Sequence, residues 1–320
     1  MNYNGLYFEW NVSSSTNEYD GQNKQFLLIK KIQNAFFAFI LRKCFCIHLF
    51  RIFLDYLMTS LFLQQLLLSI IVAGVWITLA TTISERMGTR IGGMIGNLPS
   101  TIFTSLLFIG ITQTPEFAAQ ATATVPLGMF LSTIFLYVFI SLVPKGLPLA
   151  LAASLVSWTI LAYIASWFSE TPAIYWSLLY FSGAIGTYLL AEKVLKIPSL
   201  GKISKRYSIG QILFRAFFAG SVVGASVLIA RTGSAFWAGI FASFPAMMLS
   251  AMVILTLSAG YHFARATGKI MLLASTNIVI YSYVAGFLFP LIGLWWGTFA
   301  AYTVAALWVW FLKPTFDKGL

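Results

Sequence analysis

Charged side chains are scarce in this sequence: Asp, Glu, Lys and Arg make up 9% of its 320 residues. Soluble domains contain about 25%. Hydrophobic residues make up 59%, and a water-soluble fold of this length cannot bury so much apolar surface. Several charge-free stretches reach about 18 residues, the length that crosses the hydrocarbon layer of a bilayer. The composition therefore predicts an all-α, multi-pass integral membrane protein with a lipid bilayer around it.

Histidine and cysteine are nearly absent, with two residues of each. Cys44, Cys46 and His48 form a C-x-C-x-H cluster that lacks a fourth zinc ligand, since the other histidine is His262. The sequence has no HExxH or G-x-S-x-G motif, no paired intramembrane aspartates and no histidine in a predicted span. Acid–base and nucleophilic catalysis need such groups close together. We therefore predict no catalytic site, no metal, no cofactor and no enzymatic activity.

Charge-free windows predict about nine membrane spans. Their approximate ranges are 61–83, 91–112, 123–143, 148–168, 172–191, 209–230, 235–258, 270–290 and 292–312.

Two parts of the chain repeat each other. Residues 86–123 contain RMGTRIGGMIGNLPS and then PEFAAQATA, and residues 231–269 contain RTGSAFWAGIFASFPA and then YHFARATGK. Arg86 and Gly88 match Arg231 and Gly233 at an offset of 145; Gly93, Pro99, Phe117 and Ala118 match Gly239, Pro245, Phe263 and Ala264 at an offset of 146. Hydrophobicity alone does not place Gly, Pro and Phe in one register. The sequence therefore predicts an internal duplication with four spans in each copy.

The number of spans sets how the copies are oriented. Four spans return the chain to its starting side, so the added span at 172–191 turns the second copy over. The predicted organisation is a first repeat at 58–168, a linker span and basic loop at 169–208, and a second repeat at 209–320. Inverted repeats of this kind are common in secondary transporters.

The net charge of +11 comes mostly from loops between apolar runs, which indicates topology rather than nucleic-acid binding. Loops 84–90, 144–147, 192–208, 259–269 and the C-terminal tail hold twelve Lys and Arg residues. The loops predicted on the opposite side hold one, Arg231. The positive-inside rule therefore predicts that loop 192–208 and the C-terminus are cytoplasmic. We expect the chain to lie in the cell (cytoplasmic) membrane.

Residues 1–57 do not fit this scheme. The segment 25–57 is apolar but carries six basic or histidine side chains, too many for a comfortable span. We expect the functional chain to begin near Met58; the alternative is an additional interfacial or crossing segment.

Glycines and prolines cluster in GGMIGNLPSTIFTS, residues 92–105. Small residues at every fourth position let helices approach closely in a bilayer, so we predict helix packing at Gly88, Gly92, Gly93, Gly96 and Gly239. Pro99 and Pro245 each remove a backbone donor near mid-depth, and paired interruptions in inverted halves point to a transporter's binding site. A simple proline kink at a helix crossing is the alternative. The predicted solute-binding residues are Asn97, Pro99, Ser100, Thr101, Thr104, Ser243 and Pro245.

Three charged residues lie at the ends of predicted spans. Glu85 and Arg86 follow the first span, and Arg231 is the counterpart of Arg86 in the second copy. They can act as charged gates that attract an anionic solute; the alternative is interfacial anchoring.

Each copy resembles the GlpM-like small inner-membrane proteins and related four-span families. The resemblance lies in GNLPSTIFTSLLFIGITQTPEFAAQA and ASFPAMMLSAMVILTLSAGYHFARAT, and covers about 200 of the 320 residues. It implies a multi-pass cytoplasmic-membrane protein and brings no catalytic or binding residues with it.

The sequence therefore favours a carrier that moves a small, neutral or weakly anionic solute by alternating access. A non-transporting membrane scaffold and a channel are the alternatives. Self-association into a homo-oligomer is left open.

Overall fold

The computed structural model describes residues 60–86, 99–198 and 208–319, which belong to one compact unit. Within these ranges the structure is helical and contains no strand, which confirms the predicted all-α bundle. Seven helical segments there are long and apolar enough to cross a membrane. The helices are α1 Ser60–Arg86, α2 Ser100–Thr112, α3 Pro115–Thr122, α4 Val125–Leu142, α5 Leu147–Ala165, α6 Ala173–Leu189, α7 Ile209–Arg231, α8 Ala235–Ala242, α9 Ala246–Ala259, α10 Tyr261–Ala274 and α11 Thr276–Gly319.

Helices α1 and α7, the first of each predicted copy, pack against each other along their lengths. The Arg231 guanidinium, at the end of α7, lies 5.3 Å from the centre of the Phe62 ring at the start of α1. Nearer the middle, a Cβ atom on Gly220 would lie 2.8 Å from the Ile70 carbonyl oxygen. The residue numbers of the contacting positions decrease in α7 as they increase in α1, so the two helices run antiparallel. Gly220 allows their backbones to approach this closely.

Contacts between α4 and α8 define the two ends of the bundle. The Thr124 hydroxyl donates to the Phe236 carbonyl in the first turn of α8 at 3.3 Å. Two turns further on, the Ser132 hydroxyl donates to the Ser243 carbonyl just after α8 at 3.1 Å. The helices therefore run parallel, and the chain continues from Ser132 to Lys145 for about 20 Å at 1.5 Å per residue. We call the two ends the Lys145 end and the Arg231 end.

Helix α11 consists of two antiparallel arms, residues 276–292 and 294–319. Gly293 has φ 78° and ψ 173°, in a region that favours glycine, and the chain reverses there. The Trp308 indole N–H donates to the Thr276 hydroxyl at 3.2 Å, so the second arm returns to the end where the first arm began.

Several predicted spans correspond to single helices, and others are broken. The spans predicted at 123–143, 148–168, 172–191 and 209–230 match α4, α5, α6 and α7. The span predicted at 235–258 is split into α8 and α9. The prediction of loops at 113–122 and 259–269 is wrong, because these segments contain all of α3 and most of α10. The number of crossings therefore remains a prediction.

Helices that are all long and apolar enough to cross a membrane differ in burial. Within their most apolar windows, 67% of residues are buried in the segment Val125–Lys145, but only 22% in Leu61–Ala80 and 17% in Ala173–Val194. Helix α4 is thus central, while α1 and α6 present large apolar side chains on the outer surface. These outer faces fit contact with a lipid bilayer.

Candidate functional site

Residues 243–245 interrupt the helical path between α8 and α9 inside the bundle. Pro245 cannot donate a backbone hydrogen bond, which weakens a helix at this point, and α8 ends at Ala242 before it. The Ser243 N–H still donates to the Gly239 carbonyl at 3.1 Å, which closes the last turn of α8. The Ser243 carbonyl accepts instead from the Ser132 hydroxyl of α4 at 3.1 Å, a hydrogen that is shared with the Gly128 carbonyl at 2.8 Å. A neighbouring helix therefore satisfies a backbone group that the break leaves without its helical partner.

Ser243 is packed tightly in this structure. Its side chain is 5% exposed, and its hydroxyl donates to the carbonyls of Gly239 and Ile240 at 2.9 Å each. A Cβ atom on Gly128 would overlap the Ser243 hydroxyl, and one on Gly239 would overlap the Ala121 carbonyl. Glycines at these two positions therefore let α8 and the break lie directly against α3 and α4.

The other proline begins α2 in the same way. Pro99 has φ −74° and ψ 59°, and Pro245 has φ −76° and ψ 48°; each directly precedes the first residue of its helix. Ser100 is 5% exposed and Thr104 is 0% exposed. The Thr104 hydroxyl donates to the carbonyls of Ser100 and Thr101 at 3.1 and 2.9 Å. The two prolines thus share one backbone conformation.

Helix α7 is the neighbour that the two proline-started helices share. Both α2 and α9 pack against α7, and α2 also packs against α1. Ala246, next to Pro245, lies in a small apolar cluster with Ala219 of α7 and Ile77 of α1. The structure therefore brings the break at Pro245 to the crossing of α1 and α7.

The remaining residues predicted from sequence are only partly described. Asn97 and the predicted packing glycines Gly88, Gly92, Gly93 and Gly96 lie outside the described residues. Glu85 and Arg86 end α1, and their side chains are likewise outside the description. Because α1 starts beside Arg231, Arg86 and Arg231 lie at opposite ends of the bundle. Arg231 itself lies over the Phe62 ring, a cation–π contact.

An ion pair with a buried lysine, which was not predicted from the sequence, lies at the Lys145 end. The side chain of Lys269, on α10, is 0% exposed, and its ammonium contacts a Glu192 carboxylate oxygen at 2.6 Å. The same ammonium donates to the Ile197 carbonyl at 2.7 Å. Glu192 lies in a π-helical turn, Leu190–Val194, that widens the end of α6. Lys196 then takes φ 47°, a left-handed conformation that costs a non-glycine residue about 1 kcal/mol.

Arg265 makes a second contact from α10 at the same end. Its Nε donates at 2.9 Å to the carbonyl of Ile140, in the last turn of α4, where a cation is favoured by the helix dipole. Arg265 and Lys269 are four residues apart and therefore share a helix face. This spacing within YHFARATGK, with small and apolar residues between the cations, was the signal that could have predicted a buried helix instead of a loop.

A second group of polar side chains lies between α1, α2 and the arms of α11. The side chains of Tyr281 and Thr298 are buried, and their hydroxyl groups are neighbours. Neither hydroxyl forms a well-aligned hydrogen bond within the described residues. The Trp76 indole ring packs against Tyr302 and Phe103 at centroid distances of 6.0 and 5.3 Å. All of these groups are uncharged, so the cluster offers hydrogen bonding without formal charge.

Within the described ranges, no three or more His, Cys, Asp or Glu side chains form a group able to hold a metal ion. The cluster of Cys44, Cys46 and His48 lies outside those ranges.

Comparisons of the chain with protein-family models, with curated proteins and with solved structures find no match. The resemblance of each copy to GlpM-like proteins therefore stays a prediction from the motifs. The assignment to integral membrane proteins rests on the helices themselves, whose length and apolar character fit a multi-pass membrane protein.

Proposed function

We propose that the chain is a carrier that moves a small, neutral or weakly anionic solute by alternating access of two inverted halves. The halves are residues 58–168 and 209–320, joined by the linker span. The observation that carries the proposal is the pair of helices that begin at Pro99 and Pro245 with nearly the same proline torsions. Interrupted helices at corresponding points of two halves are typical of transporter binding sites.

Inversion of the halves is supported by the packing of their first helices. In the predicted alignment α1 and α7 are equivalent, and the contacts of Phe62 with Arg231 and of Ile70 with Gly220 make them antiparallel. Equivalent helices that run in opposite directions are expected of inverted copies. The third and fourth spans of each copy also join at a glycine with positive φ, Gly146 in the first and Gly293 in the second.

The break after α8 provides a hinge for such a motion. Backbone bonds hold α8 and α9 internally, but the hydrogen bonds of Ser132 and Thr124 tie α8 and the break to the first copy. A few residues at helix ends can absorb the torsion changes of rocking halves. Side chains that are closed in this structure, Ser243 and Ser100 among them, would then become accessible during the cycle.

The solute class follows from the polar groups around the breaks. The predicted binding side chains are hydroxyls and one amide, and the cluster around Tyr281 and Thr298 is also uncharged. Such groups recognise a neutral solute by hydrogen bonds, while Arg231 at one end favours a weak anion.

The test is solute-dependent labelling of single cysteines in proteoliposomes. Cys44 and Cys46 are first replaced by serine, and Ser243→Cys or Ser100→Cys is then added. We expect maleimide to label both sites and a transported solute to change the labelling rate. Ser154→Cys is the matched control, because Ser154 is 0% exposed and its hydroxyl bonds within α5 to the Ala150 carbonyl.

Two results would overturn the proposal. One is labelling at Ser243→Cys and Ser100→Cys that no solute of a broad neutral and anionic panel alters. The other is flux that rises with solute concentration without saturating, which indicates a channel.

Topology provides a separate test of inversion. Lys145 and Arg231 lie at opposite ends of the bundle, so reporters fused at these positions should face opposite compartments. Reporters in one compartment would remove the inverted-repeat basis of the carrier.

A further inference from the structure

A cleft of about 260 Å³ opens between α3, the start of α4, α6 and the first arm of α11. Its lining includes Thr122, Ala173, Tyr283 and Phe287, and none of its lining residues is charged. Tyr283 and Phe287 are 42% and 70% exposed, so the cleft opens on the outer apolar surface. The start of α4 lies at the Arg231 end, where Thr124 contacts Phe236, and Ala123 and Pro126 line the cleft, which places the cleft toward that end of the bundle.

The polar groups in the cleft are already hydrogen-bonded inside the protein. The Thr122 hydroxyl donates to the Ala119 carbonyl at 2.6 Å, and the Ser282 hydroxyl donates to the Val279 carbonyl at 2.8 Å. The Tyr283 hydroxyl is 2.7 Å from the Ser177 hydroxyl. The volume would hold about nine water molecules at about 30 Å³ each, but each ordered water needs two to four polar partners. The cleft therefore suits an apolar occupant better than water.

A lipid acyl chain is the apolar group that a bilayer supplies at such an opening. The cleft is open sideways rather than enclosed within the bundle, because exposed Tyr283 and Phe287 form part of its wall. Small residues, among them Ala119, Ala123 and Ala173, line the space between the helices. A linear chain lying along the helices can fill this space and restore the van der Waals contacts that an empty cleft lacks.

The rim of the cleft is acidic. Glu116 lies one turn before Ala119 on the same face of α3, and Glu170 lies three residues before Ala173, within about 10 Å even in an extended chain. Both glutamates are exposed. Among the described residues at this end the basic side chain is Arg231, which lies over Phe62 at the pairing of α1 with α7. Charge at the rim therefore favours an ammonium group and disfavours an anionic one.

We infer that this cleft binds a phosphatidylethanolamine molecule, with one acyl chain between α3, α6 and α11 and the ammonium group at Glu116 and Glu170. A primary ammonium offers three hydrogen-bond donors to these carboxylates, whereas a choline head group has none. The inference requires only that the chain lies in a membrane, so it stands or fails separately from solute transport.

The test measures lipid retention by the purified full-length protein. The protein is equilibrated in mixed micelles that contain equal amounts of phosphatidylethanolamine and phosphatidylglycerol of matched chains, and bound lipids are counted by native mass spectrometry. We expect phosphatidylethanolamine to be retained about fivefold to tenfold more, the effect of two exposed charge contacts. The double variant Glu116→Gln/Glu170→Gln should bind both lipids equally.

Two further variants separate the chain site from the head-group site. Ala173→Leu should lower retention of both lipids by filling the cleft, and Asp317→Asn, at the end of α11, should leave the preference unchanged. Equal retention of the two lipids by the wild type would overturn the inference. So would a preference that survives in Glu116→Gln/Glu170→Gln, or an acyl chain photo-crosslinked elsewhere than the walls of the cleft.

Discussion

The buried ion pair between Lys269 and Glu192 allows a sharp test of how this bundle is stabilised. The two partners are not equivalent, because the Lys269 side chain is 0% exposed and that of Glu192 is 47% exposed. Removing the carboxylate leaves a buried ammonium without its counter-charge. Removing the ammonium leaves a carboxylate that water can reach. We therefore expect Glu192→Ala to destabilise the protein more than Lys269→Met.

The magnitudes follow from burial. Losing one partner of a buried pair costs about 3–5 kcal/mol, and we expect about 3 for Glu192→Ala because the half-exposed carboxylate is partly screened. Lys269→Met keeps most of the side-chain volume and removes the donor to the Ile197 carbonyl, which costs about 1–2 kcal/mol. The double variant should resemble Lys269→Met alone, since no buried charge then remains.

The measurement is the free energy of unfolding of each variant in one lipid or detergent mixture, followed by tryptophan fluorescence. Lys193→Met is the matched control, because Lys193 is adjacent to Glu192 but exposed, and we expect it to change stability by less than about 0.5 kcal/mol. The reasoning is refuted if Lys269→Met is the more damaging single change, or if the two single effects add in the double variant.

Two close contacts give further predictions. Gly239→Ala should destabilise the bundle by at least about 2 kcal/mol or prevent folding, because the added methyl overlaps α3, whereas Gly210→Ala meets nothing within 4 Å and should be neutral or stabilising. Ser132→Ala should cost about 1–2 kcal/mol by leaving the carbonyl at the α8–α9 break without its donor, while Ser154→Ala, whose hydroxyl bonds only within α5, should cost less. Unfolding free energies check both pairs, and equal effects within a pair would contradict the packing described.

The sequence predicts the helical class and the break at Pro245 well because the underlying physics is local. Charge-free length alone marks a helix that can cross a bilayer, and the structure confirms a bundle of such helices. Pro99 and Pro245 lack an N–H, so each was expected to kink or begin a helix. Their shared torsions add a similarity that sequence cannot show.

Helices α3 and α10 were missed because a span search looks for the absence of charge. Thr114 before Pro115, with Glu116 in the first turn, is a local N-terminal signal, and the Thr114 hydroxyl does accept from the Phe117 N–H at 3.1 Å. In α10 the charges themselves misled the prediction. A lysine such as Lys269 is assigned to a loop unless a charged partner for it is known. Its partner, Glu192, lies 77 positions away, and tertiary packing brings the two together.

The central position of α4 was equally hidden. Its charge-free length resembles that of α1 and α6, but in its window 67% of residues are buried, against 22% and 17% in the other two. Lipid tails and leucine side chains are almost equally hydrophobic. Apolar character therefore does not distinguish buried helices from lipid-facing ones.

The burial of α4 has a consequence for how this protein acquires its shape. Helix α4 is apolar enough to lie among lipid acyl chains. Complementary side-chain packing and a few hydroxyl hydrogen bonds hold it in the centre of the bundle, not the exclusion of water. Substitutions that keep hydrophobicity but change side-chain shape, such as exchanges between leucine and isoleucine, should therefore disturb folding more in α4 than on the outer face of α6.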